Sequence, residues 1–440
     1  MNWPSVSILL PIRNEFDQID NTIHSLLQQD YPIEKLNIIV ADGQSDDGTK
    51  KKLKNLSGKY HNITVVENPG KTMPKGFNTA LRLSNSDVVL MMGGHSVIPK
   101  RYITTCIQNL QKNDADCAGG VLQTSGNGFW GKSIAKALSS SFGVGKVSFR
   151  MLNPKSGYVK SVAFGCYKKN VFDSPLEHDD WENYRDPDEL VYRFYTLNQD
   201  AQEQYVDGLL DEHDELGHDA GLEGEWLTIL QRLYTPRRYL QSALQMCAAY
   251  LVQTAPASTI TVCAGFQDAD EFRWLSRVAY RTSELANAHP DRGYGDTERD
   301  SWEMDPAWQG FRELFEKVLV AYDWGEQFVA LNLVAKPAAD ESLRLFGATG
   351  RRYGDALLSL LADNQMRDSD RSRRWSAALV DFALTKSSNR DVMVQWIEKW
   401  KPLAIQAINA YMEPIPDNEE ATKASIKNLE AFHRSLGLLR

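Results

Sequence analysis

The spacing of apolar residues changes period once along this chain of 440 residues, near Asp173, and that change bounds what the chain can fold into. Before it, apolar runs have the length of strands, at residues 6–12, 36–41, 63–66 and 87–92, and stretches of helical spacing lie between them at 17–29, 50–60 and 75–83. Strands alternating with helices predict an α/β fold with a parallel, doubly wound sheet. After it, Gly and Pro thin out and apolar residues recur every three to four positions. Leu190, Tyr192, Phe194 and Leu197 lead into Tyr205, Leu209 and Leu210; Phe272, Leu275, Val278 and Ala279 form one stripe; Phe311, Leu314, Phe315 and Leu319 form another. Residues 239–252 are apolar on most sides, which suits the middle of a large bundle, and 375–384 and 392–412 add further helices. The expectation is an all-helical bundle without internal repeats.

Charge divides at the same place. Residues 1–173 carry 21 lysines and arginines against 13 acidic residues, and residues 174–440 carry 28 against 45. The net charges, +8 and −17, together give the −9 of the whole chain. Lysine supplies 17 of the 21 cations in the first part, whereas arginine supplies 21 of the 28 in the second. Two domains are expected, 1–173 and 174–440, with the character of a chimera because no Pro-, Gly- or Ser-rich spacer joins them. The five cysteines, an odd number with no Cys-x-x-Cys, fit reduced thiols in a cytoplasm. No apolar run reaches a membrane span, and the N-terminus reads as a strand rather than a leader. Lys50, Lys51, Lys52 and Lys54 crowd one helix start without aromatic interleaving, so a solvated face is expected there, and no nucleic-acid partner.

In doubly wound sheets ligands bind beyond the carboxyl ends of the strands. Arg13, Asn14, Glu15, Asp42, Asp47 and His95 all fall at those ends. The segments Pro11-Ile12-Arg13-Asn14-Glu15, Val40-Ala41-Asp42-Gly43, Asn68-Pro69-Gly70 and Lys75-Gly76-Phe77-Asn78 resemble a family 2 glycosyltransferase of the exopolysaccharide-building, succinoglycan type. Gly94-His95-Ser96, Phe142-Gly143-Val144-Gly145 and Phe164-Gly165-Cys166-Tyr167 extend that likeness over about residues 5–172. The resemblance implies a GT-A fold that binds a nucleotide-sugar such as a UDP-sugar, with Mg²⁺ or Mn²⁺ against the diphosphate. It implies that Glu15 lies near the base and ribose, with Pro11, Arg13, Asn14 and His95 among the other nucleotide-sugar-binding residues. It implies that Asp42 accepts from the base, Asp47 caps the helix behind the nucleotide, and Lys75 lies near the pyrophosphate. Two departures stand out. The family's Asp-x-Asp or Asp-x-His is here Gly93-Gly94-His95, leaving His95 as a weak metal candidate, and the likeness stops near Phe172, before the general base. A donor-binding half without its catalytic half is expected.

Large bundles can bury two irons between two Glu and two Glu-x-x-His motifs. Glu215-Leu216-Gly217-His218 lies in a Gly-bearing acidic turn and Glu430-Ala431-Phe432-His433 near the chain end, and both are read as solvated. Glu271-Phe272-Arg273-Trp274 keeps the Glu but places Trp274 where the His would stand, a degenerate motif that predicts a metal-free bundle. Asp186-Pro187-Asp188-Glu189-Leu190, Tyr234-Thr235-Pro236-Arg237-Arg238, Asp305-Pro306-Ala307-Trp308-Gln309-Gly310 and Trp396-Ile397-Glu398-Lys399-Trp400 resemble the beta subunit of toluene monooxygenase hydroxylases. That resemblance runs from about Phe172 to the C-terminus. It implies a ferritin-like bundle without iron ligands of its own, bracing an alpha subunit that carries the di-iron centre, with a gamma subunit beside it. The family's N-terminal arm is expected to be absent. Three functions stay open: a non-catalytic beta subunit with a foreign N-terminal domain, a family 2 glycosyltransferase in exopolysaccharide synthesis, and a non-enzymatic nucleotide-sugar binder.

Overall fold

A computed structural model describes residues 3–126, 128–138, 157–159 and 162–439; the Phe142–Gly145 motif lies outside the described residues. The chain divides into two compact units, Met1–Asp173 and Ser174–Arg440.

The first unit is built on a six-stranded sheet. Its strands are β1 (Val6–Ile12), β2 (Leu36–Asp42), β3 (Ile63–Glu67), β4 (Val88–Met91), β5 (Cys117–Gly120) and β6 (Ala163–Lys168), in the order β3-β2-β1-β4-β6-β5. Every residue of β1 is buried. This strand is paired on both edges, with Val6 opposite Leu36 on one side and Val88 on the other. A central parallel strand has both faces covered, which is why its sequence is an unbroken apolar run rather than an alternation. Helices α1 (Ile19–Leu27), α2 (Thr49–Lys59), α3 (Met73–Leu83) and α4 (Tyr102–Lys112) connect the strands, and α5 (Gly128–Ala137) follows β5. Helix α3 approaches β1 so closely that a Cβ on Gly76 would meet the Pro11 ring at 2.6 Å. The sheet is not wholly parallel. β6 runs antiparallel to β4, with Leu90 opposite Cys166, and β5 runs antiparallel to β6. The expected parallel pairing holds for β1 to β4 alone. The solvated face read for α2 holds: Lys50 pairs with Glu67 and Lys52 with Asp20 at its rim.

The second unit is helical: α6 (Tyr192–Glu215), α7 (Gly224–Ile229), α8 (Arg237–Thr254), α9 (Ser258–Ala288), α10 (Glu298–Met304), α11 (Pro306–Val318), α12 (Trp324–Phe328), α13 (Lys336–Arg352), α14 (Ala356–Ala383), α15 (Ser388–Met412) and α16 (Glu419–Ser435). Wide π turns at Leu230–Tyr234 and Val329–Ala335 join α7 toward α8 and α12 to α13. Such turns accommodate an extra residue in a helix and often mark functional positions. Asp305 and Asp323 cap α11 and α12 through their side chains. The core gathers Trp226, Trp308, Phe311, Phe315, Phe328, Phe346 and Tyr411. Helices α11 and α15 touch backbone to backbone, since a Cβ on Gly310 would lie 2.6 Å from the Ala407 Cα.

Two expected apolar stripes are buried only in part, at Leu209, Leu210 and Val278. Tyr192, Phe194, Leu197 and Tyr205 on α6 are exposed, and so is Phe272 on α9. The inner face of α9 instead carries Gln267, Asp270, Glu271, Trp274, Val278, Arg281 and Thr282. Partnered buried charges supply that face, and a hydrophobicity pattern cannot register them. Among the described residues no helix is long and apolar enough to cross a membrane.

Candidate functional site

At the carboxyl ends of β1 to β4 the first unit gathers the loops that carry its expected ligand residues. Asn14 takes the left-handed conformation, φ 57°. This turns its amide onto Asp46 and lets its backbone N–H donate to the Ser45 hydroxyl at 2.9 Å. Asp47 receives N–H bonds from Thr49 at 2.9 Å and Phe16 at 3.0 Å, tying the first loop to the start of α2. Those bonds, with the Thr49 hydroxyl foremost, hold the Asp47 carboxyl below the usual range. The Glu15 N–H donates to the Thr49 hydroxyl at 3.0 Å. A Cβ on Gly94 would meet Ile12 at 2.6 Å, and the tight fit brings the next residue, His95, onto Glu15, with Nδ1 2.9 Å from Oε1.

Asp42 is buried, 2% exposed. Its Oδ1 accepts from the Ser45 N–H and hydroxyl, whereas Oδ2 has no hydrogen-bond partner among the described residues. A buried carboxylate oxygen without a donor is costly. Arg13 and the Lys71 carbonyl flank Gly43, each about 3.2–3.3 Å from where its Cβ would stand. Lys75, on the first turn of α3, folds its side chain over Gly70. Pro11 packs beneath, against Gly76.

The second unit places its polar residues inside. Lys336 is buried and its ammonium sits 2.7 Å from Glu271 Oε1 and 3.2 Å from Asp340 Oδ1. Burial disfavours that charge, yet the two carboxylates outweigh it and raise the lysine pKa. Gln241 donates to the other Glu271 oxygen at 3.2 Å. Trp274, one turn along α9, donates its indole N–H to Asp368 at 2.8 Å, and Arg273 and Gln199 also reach Asp368. Asn332, in the second π turn, bridges Gln267 and Ser376. An ammonium on α13 and an indole on α9 thus occupy the centre. Among the described residues no three His, Cys, Asp or Glu groups are arranged to hold a metal. The donor set does not fit a pair of iron ions.

Lys336 and Asp340 escaped the sequence reading. The signal was available: a Lys followed four residues on by an Asp inside the buried, mostly apolar stretch 329–343. The two Glu-x-x-His matches are not solvated as read. His433 is fully buried and its Nε2 donates to the Leu333 carbonyl at 2.7 Å. Burial lowers its pKa to about 4. His218 is mostly enclosed beside Asp219, which pairs in turn with buried Arg281 at 2.8 Å. Arg281 also reaches Asp355 at 2.8 Å, and His218, Asp219 and Arg281 line a cavity of about 260 Å³. Glu430 pairs with Lys401 and Arg434 beside His433.

Comparison with known proteins agrees with this division. Residues 7–169 match the family 2 glycosyl transferase model. Succinoglycan biosynthesis protein ExoA of Rhizobium meliloti is 26% identical over 140 residues, 31% of this chain and 42% of that one. The match spans less than half of that relative's length. The hydroxylase component subunit beta of the toluene-4-monooxygenase system of Ectopseudomonas mendocina is 50% identical over 247 residues, covering 56% of this chain and 76% of the relative. A solved structure of toluene 4-monooxygenase with toluene in its resting active site superposes with a TM-score of 0.54 at 50% identity, over 55% of this chain and 80% of that one. With the methane/phenol/alkene hydroxylase model matching residues 165–387, half of its length, the chain belongs to that hydroxylase family, with a family 2 glycosyl transferase domain in front.

Proposed function

We propose that residues 174–440 serve as the non-catalytic beta subunit of a multicomponent aromatic monooxygenase hydroxylase, bracing an alpha subunit that carries the di-iron centre, with a gamma subunit in the same complex. The observation that carries this reading is the Lys336 ammonium between Glu271 and Asp340. A bundle whose central cation is a side chain supports a partner's chemistry rather than performing it. The half-identical relative named as a hydroxylase beta subunit points the same way. Five free cysteines fit a cytoplasmic setting. The test is co-expression with the alpha and gamma subunits of a toluene monooxygenase, followed by size-exclusion chromatography and a ring-hydroxylation assay. Co-elution with turnover is expected; a folded chain that elutes alone overturns the reading.

A second reading concerns residues 1–173, which we infer form a donor-binding domain for a nucleotide-sugar. The unpartnered Asp42 Oδ2 favours it, since a uracil N–H would supply the missing donor. UDP-sugar at about 100 times its Kd should stabilise the chain by about 2.7 kcal/mol, and Asp42→Ala should abolish the shift in a thermal melt. No shift at millimolar ligand removes the reading.

A further inference from the structure

We propose that the strand-end site of the first unit takes a nucleoside diphosphate without a divalent metal ion, its phosphates neutralised by Arg13, Lys71 and Lys75. The inference rests on the donor-binding reading above and adds to it the means of charge neutralisation.

A Mg²⁺ or Mn²⁺ ion on a diphosphate is held by carboxylate oxygens, because hard cations prefer oxygen ligands. The acids at these strand ends are already engaged. Glu15 Oε1 meets His95 Nδ1 at 2.9 Å, which also occupies the imidazole nitrogen on that side. Asp46 accepts from the Asn14 amide, and Asp47 from Thr49 and Phe16. Asp42 keeps one oxygen open, which a base N–H satisfies and which alone does not hold an ion. The position after β4 where the resemblance places a metal carboxylate is Gly93. Among the described residues no three potential ligands come together.

Positive charge converges on the same place instead. Arg13 follows β1, Lys71 follows the turn after β3, and Lys75 lies in the first turn of α3, whose N–H groups add partial positive charge. Gly43 holds Arg13 and the Lys71 backbone together, and Gly70 lets Lys75 fold inward. All three cations are exposed, and none makes an ion pair among the described residues, unlike Lys50 and Lys52 nearby, which pair with Glu67 and Asp20. Lysine and arginine bind phosphate directly through charge-assisted hydrogen bonds.

Isothermal titration of uridine diphosphate into the full chain, in EDTA and then in Mn²⁺, tests this. The expected Kd agrees within about twofold between the two buffers, and Lys71→Ala and Lys75→Ala each weaken it roughly tenfold. Binding seen only with Mn²⁺, or tightened tenfold by it, overturns the inference and leaves the donor-binding reading intact. Absence of binding in both buffers overturns both. Gly93→Asp is the complementary variant: a Cβ there meets only the Ser96 hydroxyl, at 3.6 Å, so the side chain fits. It should weaken binding in EDTA and make it Mn²⁺-responsive, while Gly93→Asn does neither. A Gly93→Asp protein indistinguishable from the parent in both buffers overturns the proposed phosphate position.

Discussion

The two units place their polar residues in opposite ways. At the strand ends of the first, Arg13, Lys71, Lys75 and His95 face solvent, whereas Asp42 is buried. At the centre of the second, Glu271, Asp340, Asp368 and Lys336 are all buried, with Lys336 between Glu271 and Asp340 and with Trp274, Arg273 and Gln199 donating to Asp368. An open site keeps its chemistry available to a ligand at little cost in stability. A closed network makes charge part of the core, where removing one member leaves the rest uncompensated. The contrast teaches that a cluster of ionisable residues signals a site where it faces solvent, and a structural network where it is sealed in the core.

The contrast can be broken by substitution. Lys336→Met strands Glu271 and Asp340 and should cost about 3–5 kcal/mol in a denaturant melt followed by helical circular dichroism. Adding Glu271→Gln and Asp340→Asn to it should recover most of that loss; a small loss in the single variant means the network is not a unit. Acid gives the next effect. Burial holds the His433 pKa in the folded bundle at about 4, below the ordinary value of 6.5. The unfolded chain takes the proton first, so stability falls as pH drops from about 6.5 to about 4, by about 3 kcal/mol. His433→Gln should flatten that slope in a pH series of melts. Gly310→Ala pushes a methyl group into the Ala407 backbone and should cost about 1–3 kcal/mol. The smallest effect belongs to the open site: Arg13→Ala should leave the melt within about 0.5 kcal/mol of the parent. A larger loss would mean that the strand-end cations hold the fold together.

Legibility in the sequence follows the same contrast. Strands β1 to β4 and helices α1 to α3 lie within a few residues of where apolar spacing puts them, because a sheet with one apolar run per strand writes its architecture directly into sequence. The strand-end loops were legible for a related reason: polar groups at the end of an apolar run have little else to do. β5 and β6 lie outside the four runs that apolar spacing marks as strands, and β6 joins the sheet antiparallel to β4. In the bundle, α11 and α15 were readable from Phe311, Leu314, Phe315 and Ile408, all buried. Helix α9 was not, because Glu271 and Trp274 turn inward while Phe272 turns out. Lys336 and His433 look like surface residues to any hydrophobicity scale, and only their partners on other helices make burial tolerable.

The π turn at Val329–Ala335 ends immediately before Lys336. A helix advances about 100° per residue, so that turn acts as a phase shift: it sets which way everything downstream on α13 points. Inserting a single residue between that turn and Lys336 would leave both helical stretches intact, yet swing Lys336 and Asp340 together about 100° away from Glu271. A length change of one, with no change in the character of any side chain, would thereby unlock the centre of the bundle. At this point the chain is specified by counting as much as by chemistry.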